Sequence, residues 1–121
     1  MNSYDNNVDD GVRSMVIANQ GVQVPGDETT YWCRVVRLPA NLRRSKHHVV
    51  RFESAIEIGR ESLVHHMEVF QCEPPRLDDV IPIYSGPCES PDRPQATRVC
   101  KRVLAAWAFG AGPFVYPPVI I

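Results

Sequence analysis

Hydrophobic and polar positions alternate most regularly between residues 48 and 58. One set of alternate positions is mostly apolar and holds His48, Val50, Phe52, Ile56 and Ile58. Charged side chains lie between them at Arg51, Glu53 and Glu57. Because successive side chains of a β-strand point to opposite faces, this period predicts a strand with one buried face and one solvated face.

Two further stretches predict strands from their content of β-branched and aromatic residues. TTYWCRVVRL, at residues 29–38, is closed by Pro39. SLVHHMEVFQC, at residues 62–72, has apolar residues on both faces, as a central strand of a β-sandwich has.

The remaining segments are less regular. Residues 1–28 are predicted to be a flexible lead-in, and the proline-rich residues 73–95 to be a loop with one short strand near residues 81–84. The last segment, TRVCKRVLAAWAFGAG at residues 97–112, favours a helix when taken alone. Its apolar positions fit a helical stripe at Val99, Cys100, Val103, Leu104 and Trp107.

Composition narrows the fold class and the partners. Eleven prolines against seven glycines favour short strands and turns, so we predict an all-β fold. The formal net charge of -1 supplies no overall basic field for nucleic acid or an anionic membrane surface. Membrane association is also disfavoured, because no stretch approaches the roughly 20 apolar residues that cross a bilayer.

The four cysteines favour disulfides over a zinc site. Cys33, Cys72, Cys88 and Cys100 form no Cys-x-x-Cys pair, and an even number suits two disulfides, for which three pairings are open. Disulfides imply an oxidising compartment, whereas the polar first residues lack the features of a secretory signal. We therefore expect the chain to be a fragment or a sequence that has lost its start.

Two pairs of adjacent histidines are the candidate metal ligands. His65 and His66 precede Met67, and two imidazoles with a nearby thioether suit copper. On a flat strand, however, both rings reach one ion only where the strand twists, bulges or ends. The residues alone therefore favour an interpretation in which the rings of His65 and His66 are each hydrogen-bonded and bind no metal. For His47 and His48 they favour a solvent-exposed start of a strand.

Four motifs in the same order resemble one protein family. They are TTYWC, HHVVRFE, VHHMEVFQC and C-x-x-V-L-A-A-W-A-F-G-A-G, and they extend from about Thr29 to Pro118. With these motifs the chain resembles the copper type II ascorbate-dependent monooxygenases, and among them the dopamine and tyramine β-hydroxylase branch. The resemblance implies a jelly-roll-like β-sandwich, present as an incomplete N-terminal domain at residues 29–121 after the lead-in at residues 1–28.

For the histidines, the resemblance implies a copper site. His65 and His66 match two of the three ligands of the copper that stores and passes an electron, and Met67 follows them as filler. The third histidine is expected beyond Ile121, and the "VII" after Pro118 already departs from the family pattern. The second copper of the family needs a His-x-His pair and a methionine from another domain.

For the cysteines, the resemblance implies the pairs Cys33–Cys88 and Cys72–Cys100. The second pair would fix the strand that carries the two histidines against its neighbour. The resemblance further implies that the segment around Trp107 is a strand, against the helix that its local pattern favours.

The implied activity is that of a monooxygenase that uses copper, ascorbate and dioxygen to β-hydroxylate a phenylethylamine, either tyramine or dopamine. The implied location is the secretory pathway, a secretory vesicle or the extracellular space. With two ligands of one copper, the chain alone is expected to be inactive. The alternatives are a truncated, non-catalytic copper-binding form and a metal-free, disulfide-bonded β-sandwich that acts by interaction. The sequence indicates neither the amine nor an oligomeric state.

Overall fold

The computed structural model describes residues 3–9 and 11–117, and its regular structure is almost all β-strand. In chain order the strands are β1 Ser3–Asp9, β2 Val12–Val16, β3 Trp32–Val35, β4 Arg51–Phe52, β5 His66–Cys72, β6 Tyr84–Pro87, β7 Cys100–Ala108 and β8 Phe114–Val115. One short α-helix, α1, spans Ala40–Arg43, and 3-10 turns span Glu61–Leu63 and Gln95–Val99. Among the described residues, no helix has the length and apolar character to cross a membrane.

The strands of the described residues form four antiparallel two-stranded sheets, in which β1 pairs with β2, β3 with β6, β4 with β8, and β5 with β7. The last three sheets each join segments that lie far apart along the chain. The strands predicted at residues 29–38 and 62–72 correspond to β3 and β5, while the short strand predicted near residues 81–84 overlaps β6 only at Tyr84. The all-β class is confirmed, while the jelly-roll strand order stays a prediction, and residues 118–121 of the predicted domain lie outside the described residues.

The stretch predicted to be a flexible lead-in contains a β-hairpin. β1 and β2 pair antiparallel, with Asp9 opposite Val12. Gly11 lies in the connection at φ +77°, in the left-handed region that glycine adopts readily. Further along, the guanidinium of Arg34 donates a hydrogen bond to the carbonyl of Ala18 and so links this stretch to β3. The boundary between lead-in and domain stays a prediction.

The first disulfide closes the sheet of β3 and β6. Cys33 lies opposite Gly86 in this sheet and is bonded to Cys88, just beyond the end of β6. The amide of Cys88 donates a hydrogen bond of 3.0 Å to the carbonyl of Tyr31, which extends the pairing past the disulfide. Gly86 lies so close to the ring of Tyr84 that a Cβ has no room there. This is one of the two pairs that the family resemblance implies.

The second disulfide closes the ladder of β5 and β7. Cys72 and Cys100 lie opposite each other at one end of the ladder and are bonded, which is the other implied pair. At the far end His66 lies opposite Ala108. A covalent bond therefore fixes the pairing at one end of the strand that begins with His66.

The segment at residues 97–112 is a strand, as the resemblance implies, and the helix favoured by its local pattern is wrong. The 3-10 turn ends at Val99, and β7 follows as a strand of nine residues. Trp107, which fitted the apolar stripe of the predicted helix, lies opposite Met67 in the ladder. The two side chains form a cross-strand pair instead. Pairing with a distant strand outweighed the local periodicity.

Residues 48–58 keep part of the predicted alternation of burial but little of the predicted strand. Phe52, Ser54 and Ile56 are half-buried, and the residues between them are exposed. Val50, which the alternation placed on the buried face, is 40% exposed. Only β4 pairs here, with β8, and the amide of Tyr116 donates a hydrogen bond of 2.9 Å to the carbonyl of Val50 just beyond this pairing.

Hydrophobic burial contributes little to holding the sheets together. Among the side chains described, at residues 11–117, no hydrophobic one is fully buried. The disulfides therefore carry more of the stability than they do in a domain with a closed core. By loop-closure entropy, Cys33–Cys88 across 55 residues contributes about 4 kcal/mol, and Cys72–Cys100 across 28 residues about 3.5 kcal/mol.

A buried hydrogen-bond cluster joins the ends of the two disulfides. Thr97 is fully buried, and the half-buried Arg93 donates from Nε to Thr97 Oγ1 at 2.9 Å and from Nη1 to the carbonyl of Cys88 at 3.2 Å. Thr97 Oγ1 donates in turn to the carbonyl of Pro94 at 2.7 Å. Since Cys88 belongs to one disulfide and Thr97 closely precedes Cys100 of the other, Arg93 connects the two sheets. The proline-rich sequence predicted only a loop here.

Substitution of Thr97 by valine tests the contribution of this cluster. Valine keeps the size of the side chain but removes the acceptor for Arg93 and the donor to Pro94. We expect the free energy of unfolding in urea to fall by about 1–3 kcal/mol, because two part-buried polar groups lose a partner. The control Thr30→Val, at an exposed position, should change it by less than about 0.5 kcal/mol. Equal effects of the two substitutions contradict the importance of the cluster.

Candidate metal centre

The histidine pair lies at the start of β5. His66 is the first residue of the strand, and His65 immediately precedes it. The amide of Phe109 donates a hydrogen bond of 2.8 Å to the carbonyl of His65, which holds this backbone although it lies outside the strand. Both histidines are exposed. The pair thus occupies a strand end, one of the places where two adjacent side chains escape strict alternation.

The two faces of the β5–β7 ladder differ in burial. Met67 is half-buried and lies opposite Trp107, which is also half-buried. His66 shares the exposed face with Glu68. A shift of one residue in register would bury the histidine and expose Met67, so the packing on one face and the disulfide at the end of the ladder select the same register.

Two irregularities interrupt the ladder between the histidines and the disulfide. Val69 lies opposite Ala105 while Phe70 lies opposite Val103, so that Leu104 is an extra residue in β7. The pairing shifts again between Gln71 and Cys72. Bulges of this kind increase the local twist and redirect side chains. The first of them lies beyond Val69, so the four pairs from His66 to Val69 keep a regular register.

Tyr31 contacts the histidine pair from another sheet. Its ring centroid lies 5.6 Å from that of His66, with the two planes inclined at 57°. Tyr31 directly precedes β3, and its carbonyl accepts the hydrogen bond from Cys88. The first disulfide therefore positions a ring that limits the orientation of His66. The sequence alone did not single out Tyr31, which appeared only as part of the TTYWC motif. The one signal that could have identified it is its position two residues before a cysteine.

The donor set fits copper in part. Exposed imidazoles offer ring nitrogens that copper accepts readily, and His65 and His66 supply two of them. The four cysteines are in disulfides and supply no thiolate. Within residues 3–9 and 11–117, no group of three or more His, Cys, Asp or Glu side chains is placed to hold a metal ion. The described residues therefore offer two nitrogen donors and not a complete site.

The other histidine pair has different surroundings. Nδ1 of His47 lies 2.8 Å from the carbonyl oxygen of Ser45, within the turn that follows α1. His48 is exposed and lies before β4. Neither residue lies on the disulfide-closed ladder, so this pair serves as an internal comparison for His65 and His66.

Known proteins match this chain over most of its length. The sequence model of the family described as copper type II ascorbate-dependent monooxygenase, N-terminal domain, matches residues 15–120. Dopamine beta-hydroxylase of Bos taurus is 50% identical over 105 residues, which are 87% of this chain and 17% of that protein. Its Homo sapiens counterpart is 46% identical over 104 residues, 86% of this chain and 16% of that protein. Tyramine beta-hydroxylase of Caenorhabditis briggsae is 40% identical over 117 residues, 90% of this chain and 19% of that protein.

The chain spans less than a fifth of the length of these relatives. The matched residues 15–120 include the β3–β6 and β5–β7 sheets, both disulfides and the histidine pair at the start of β5. A match of this extent establishes common ancestry along the described fold. The chain therefore belongs to the copper type II ascorbate-dependent monooxygenase family, and the part of that family it matches is the N-terminal domain.

Proposed function

We propose that His65 and His66 are two ligands of the copper ion that stores and passes an electron in a phenylethylamine β-hydroxylase. The substrate would be tyramine or dopamine, with dioxygen as oxidant and ascorbate as reductant. The observation that carries the proposal is the placement of two adjacent exposed imidazoles at the end of a disulfide-closed ladder, inside the segment that matches the family. The names of the similar proteins support the substrate class.

The residues of this chain hold and orient the site and do not touch substrate. Copper, when bound, supplies one-electron redox chemistry. His65 and His66 each present ring nitrogens, and the β5–β7 ladder holds the backbone that carries them. The ring of Tyr31 contacts the His66 ring and so limits its orientation through packing.

The remaining parts of the reaction are assigned to regions outside this chain. We expect the third ligand and the dioxygen-binding copper there, because the four histidines of the sequence form two adjacent pairs and no His-x-His. The chain alone is therefore expected not to hydroxylate an amine. Disulfides are typical of oxidising compartments, so the two disulfides support a location in the secretory pathway, a secretory vesicle or outside the cell.

Copper(II) titration followed by electron paramagnetic resonance tests the metal assignment. We expect the wild-type chain to bind one copper ion with nitrogen ligation. The double variant His65→Ala, His66→Ala should lose this signal or bind at least about tenfold more weakly, because loss of both donors exceeds the effect of losing an outer partner. Circular dichroism checks that the strands of the variant remain.

The matched control is the double variant His47→Ala, His48→Ala, which removes an exposed adjacent pair elsewhere in the chain. Its spectrum and copper affinity should equal those of the wild type. If the wild type and the His65→Ala, His66→Ala variant give identical spectra, the copper proposal is wrong. That outcome would favour the metal-free, disulfide-bonded module.

Substitution of Tyr31 tests whether its ring positions a ligand. Tyr31→Ala should weaken copper binding by about 2- to 10-fold, the equivalent of one aromatic contact, and should change the nitrogen hyperfine pattern. Tyr31→Phe keeps the ring and should bind copper as the wild type does. If phenylalanine and alanine weaken binding equally, the hydroxyl rather than the ring contact matters, and the positioning role is wrong.

A further inference from the structure

One strongly charged surface has no part in the copper site. We define the basic segment as residues 37–51, which contains α1 and the turn that leads to β4. Its positively charged side chains are all exposed, namely Arg37, Arg43, Arg44, Lys46 and Arg51. None of these residues lies on the β5–β7 ladder, so the role sought for this surface is independent of the proposed copper function.

Charge is strongly segregated along the chain. The basic segment holds five of the 13 basic residues and none of the 14 acidic residues. The rest of the chain therefore has eight basic and fourteen acidic side chains, a formal charge of -6 against +5 in the segment. The overall charge of -1 conceals this division, which is why composition alone indicated no anionic partner.

Few cations of the basic segment form ion pairs within the described part of the chain. Arg51 forms an ion pair with Glu53 at 3.0 Å. Within the described part of the chain, Arg43, Arg44 and Lys46 form no ion pair. Residues 43–46 span three peptide units, at most about 11 Å between their Cα atoms, which is comparable with the Debye length of about 8–10 Å, so screening leaves part of their potentials to add.

The local backbone keeps these cations at the surface. Arg43 ends α1, and the amide of Arg44 donates a hydrogen bond of 3.1 Å to the carbonyl of Ala40. The turn that follows is closed by the 2.8 Å contact between Nδ1 of His47 and the carbonyl of Ser45. A helix end and a hydrogen-bonded turn thus present the side chains from a defined backbone, which reduces the entropy lost on binding.

We propose that the basic segment binds a sulfated polysaccharide of the heparin type. Short runs rich in lysine and arginine are typical of surfaces that bind heparin or nucleic acid. Guanidinium groups donate paired, charge-assisted hydrogen bonds to tetrahedral anions such as sulfate. A thin, flexible polyanion contacts the segment alone and avoids the acidic remainder of the chain.

The same observations disfavour the other polyanions. A bilayer or a long duplex presents a broad anionic surface, which the charge of -6 on the remainder of the chain repels. The segment contains no phenylalanine, tyrosine or tryptophan on which unpaired bases stack. With four residues, α1 is also too short to present an apolar face to a membrane.

Calorimetric titration of the chain with a fully sulfated heparin octasaccharide tests this proposal. The triple variant Arg43→Gln, Arg44→Gln, Lys46→Gln should bind at least about tenfold more weakly and with a shallower salt dependence, because three counterion-releasing contacts are lost. The matched control Arg76→Gln, Arg98→Gln, Lys101→Gln removes the same charge at exposed positions elsewhere and should lose less than about threefold.

Two further arms separate charge from folding and fix the ligand class. Arg43→Lys, Arg44→Lys keeps the charge but loses the paired guanidinium hydrogen bonds, so it should bind more weakly than the wild type and at least about threefold more tightly than the triple glutamine variant. Desulfated octasaccharide should not bind. The proposal is overturned if the wild type fails to bind at about 50 mM salt, or if the two triple variants weaken equally. Tighter binding of phosphatidylserine vesicles or single-stranded oligonucleotide than of heparin overturns it as well.

Discussion

The bond between Cys72 and Cys100 is the constraint on which the rest of this structure depends. No hydrophobic side chain among residues 11–117 is fully buried, so apolar packing alone does not select one strand register. A covalent link between directly opposed residues does. Because a one-residue slip would turn the side chains of β5 to the other face, the bond, together with the packing of Met67 against Trp107, keeps His66 on the exposed face. Fold and site thus share one determinant, at the end of the strand opposite to the histidines.

The two disulfide-bonded sheets are further connected at two places. Arg93 joins the carbonyl of Cys88 to the buried Thr97, which lies just before β7. Tyr31, held by its hydrogen bond from Cys88, contacts the ring of His66. The first disulfide therefore influences the histidine pair through the position of Tyr31. The second influences it through the pairing of the strand that carries His66. Short polar contacts and covalent bonds here do what a closed hydrophobic core does in larger domains.

The sequence predicted the class, the strands around β3 and β5 and the number of disulfides, since these depend on composition and local pattern. It missed the hairpin of β1 and β2, because residues 1–28 carry few apolar residues in any regular period. It favoured a helix where β7 lies, because strand pairing between distant segments leaves no trace in a local window. The histidine pair stood out by residue type, yet its position at a strand end and the contact with Tyr31 required the fold. The basic segment was visible in the sequence, but the sequence did not show that Arg43, Arg44 and Lys46 form no ion pair within the described part of the chain.

Amide hydrogen exchange tests most directly whether the Cys72–Cys100 bond holds the strand that carries the histidines. In the double variant Cys72→Ala, Cys100→Ala, the amides of β5 and β7 should lose their protection, while those of β3 and β6, closed by Cys33–Cys88, keep theirs. Protection of β5 equal to that of the wild type would contradict this view, because the register of the strand would then be set without the bond.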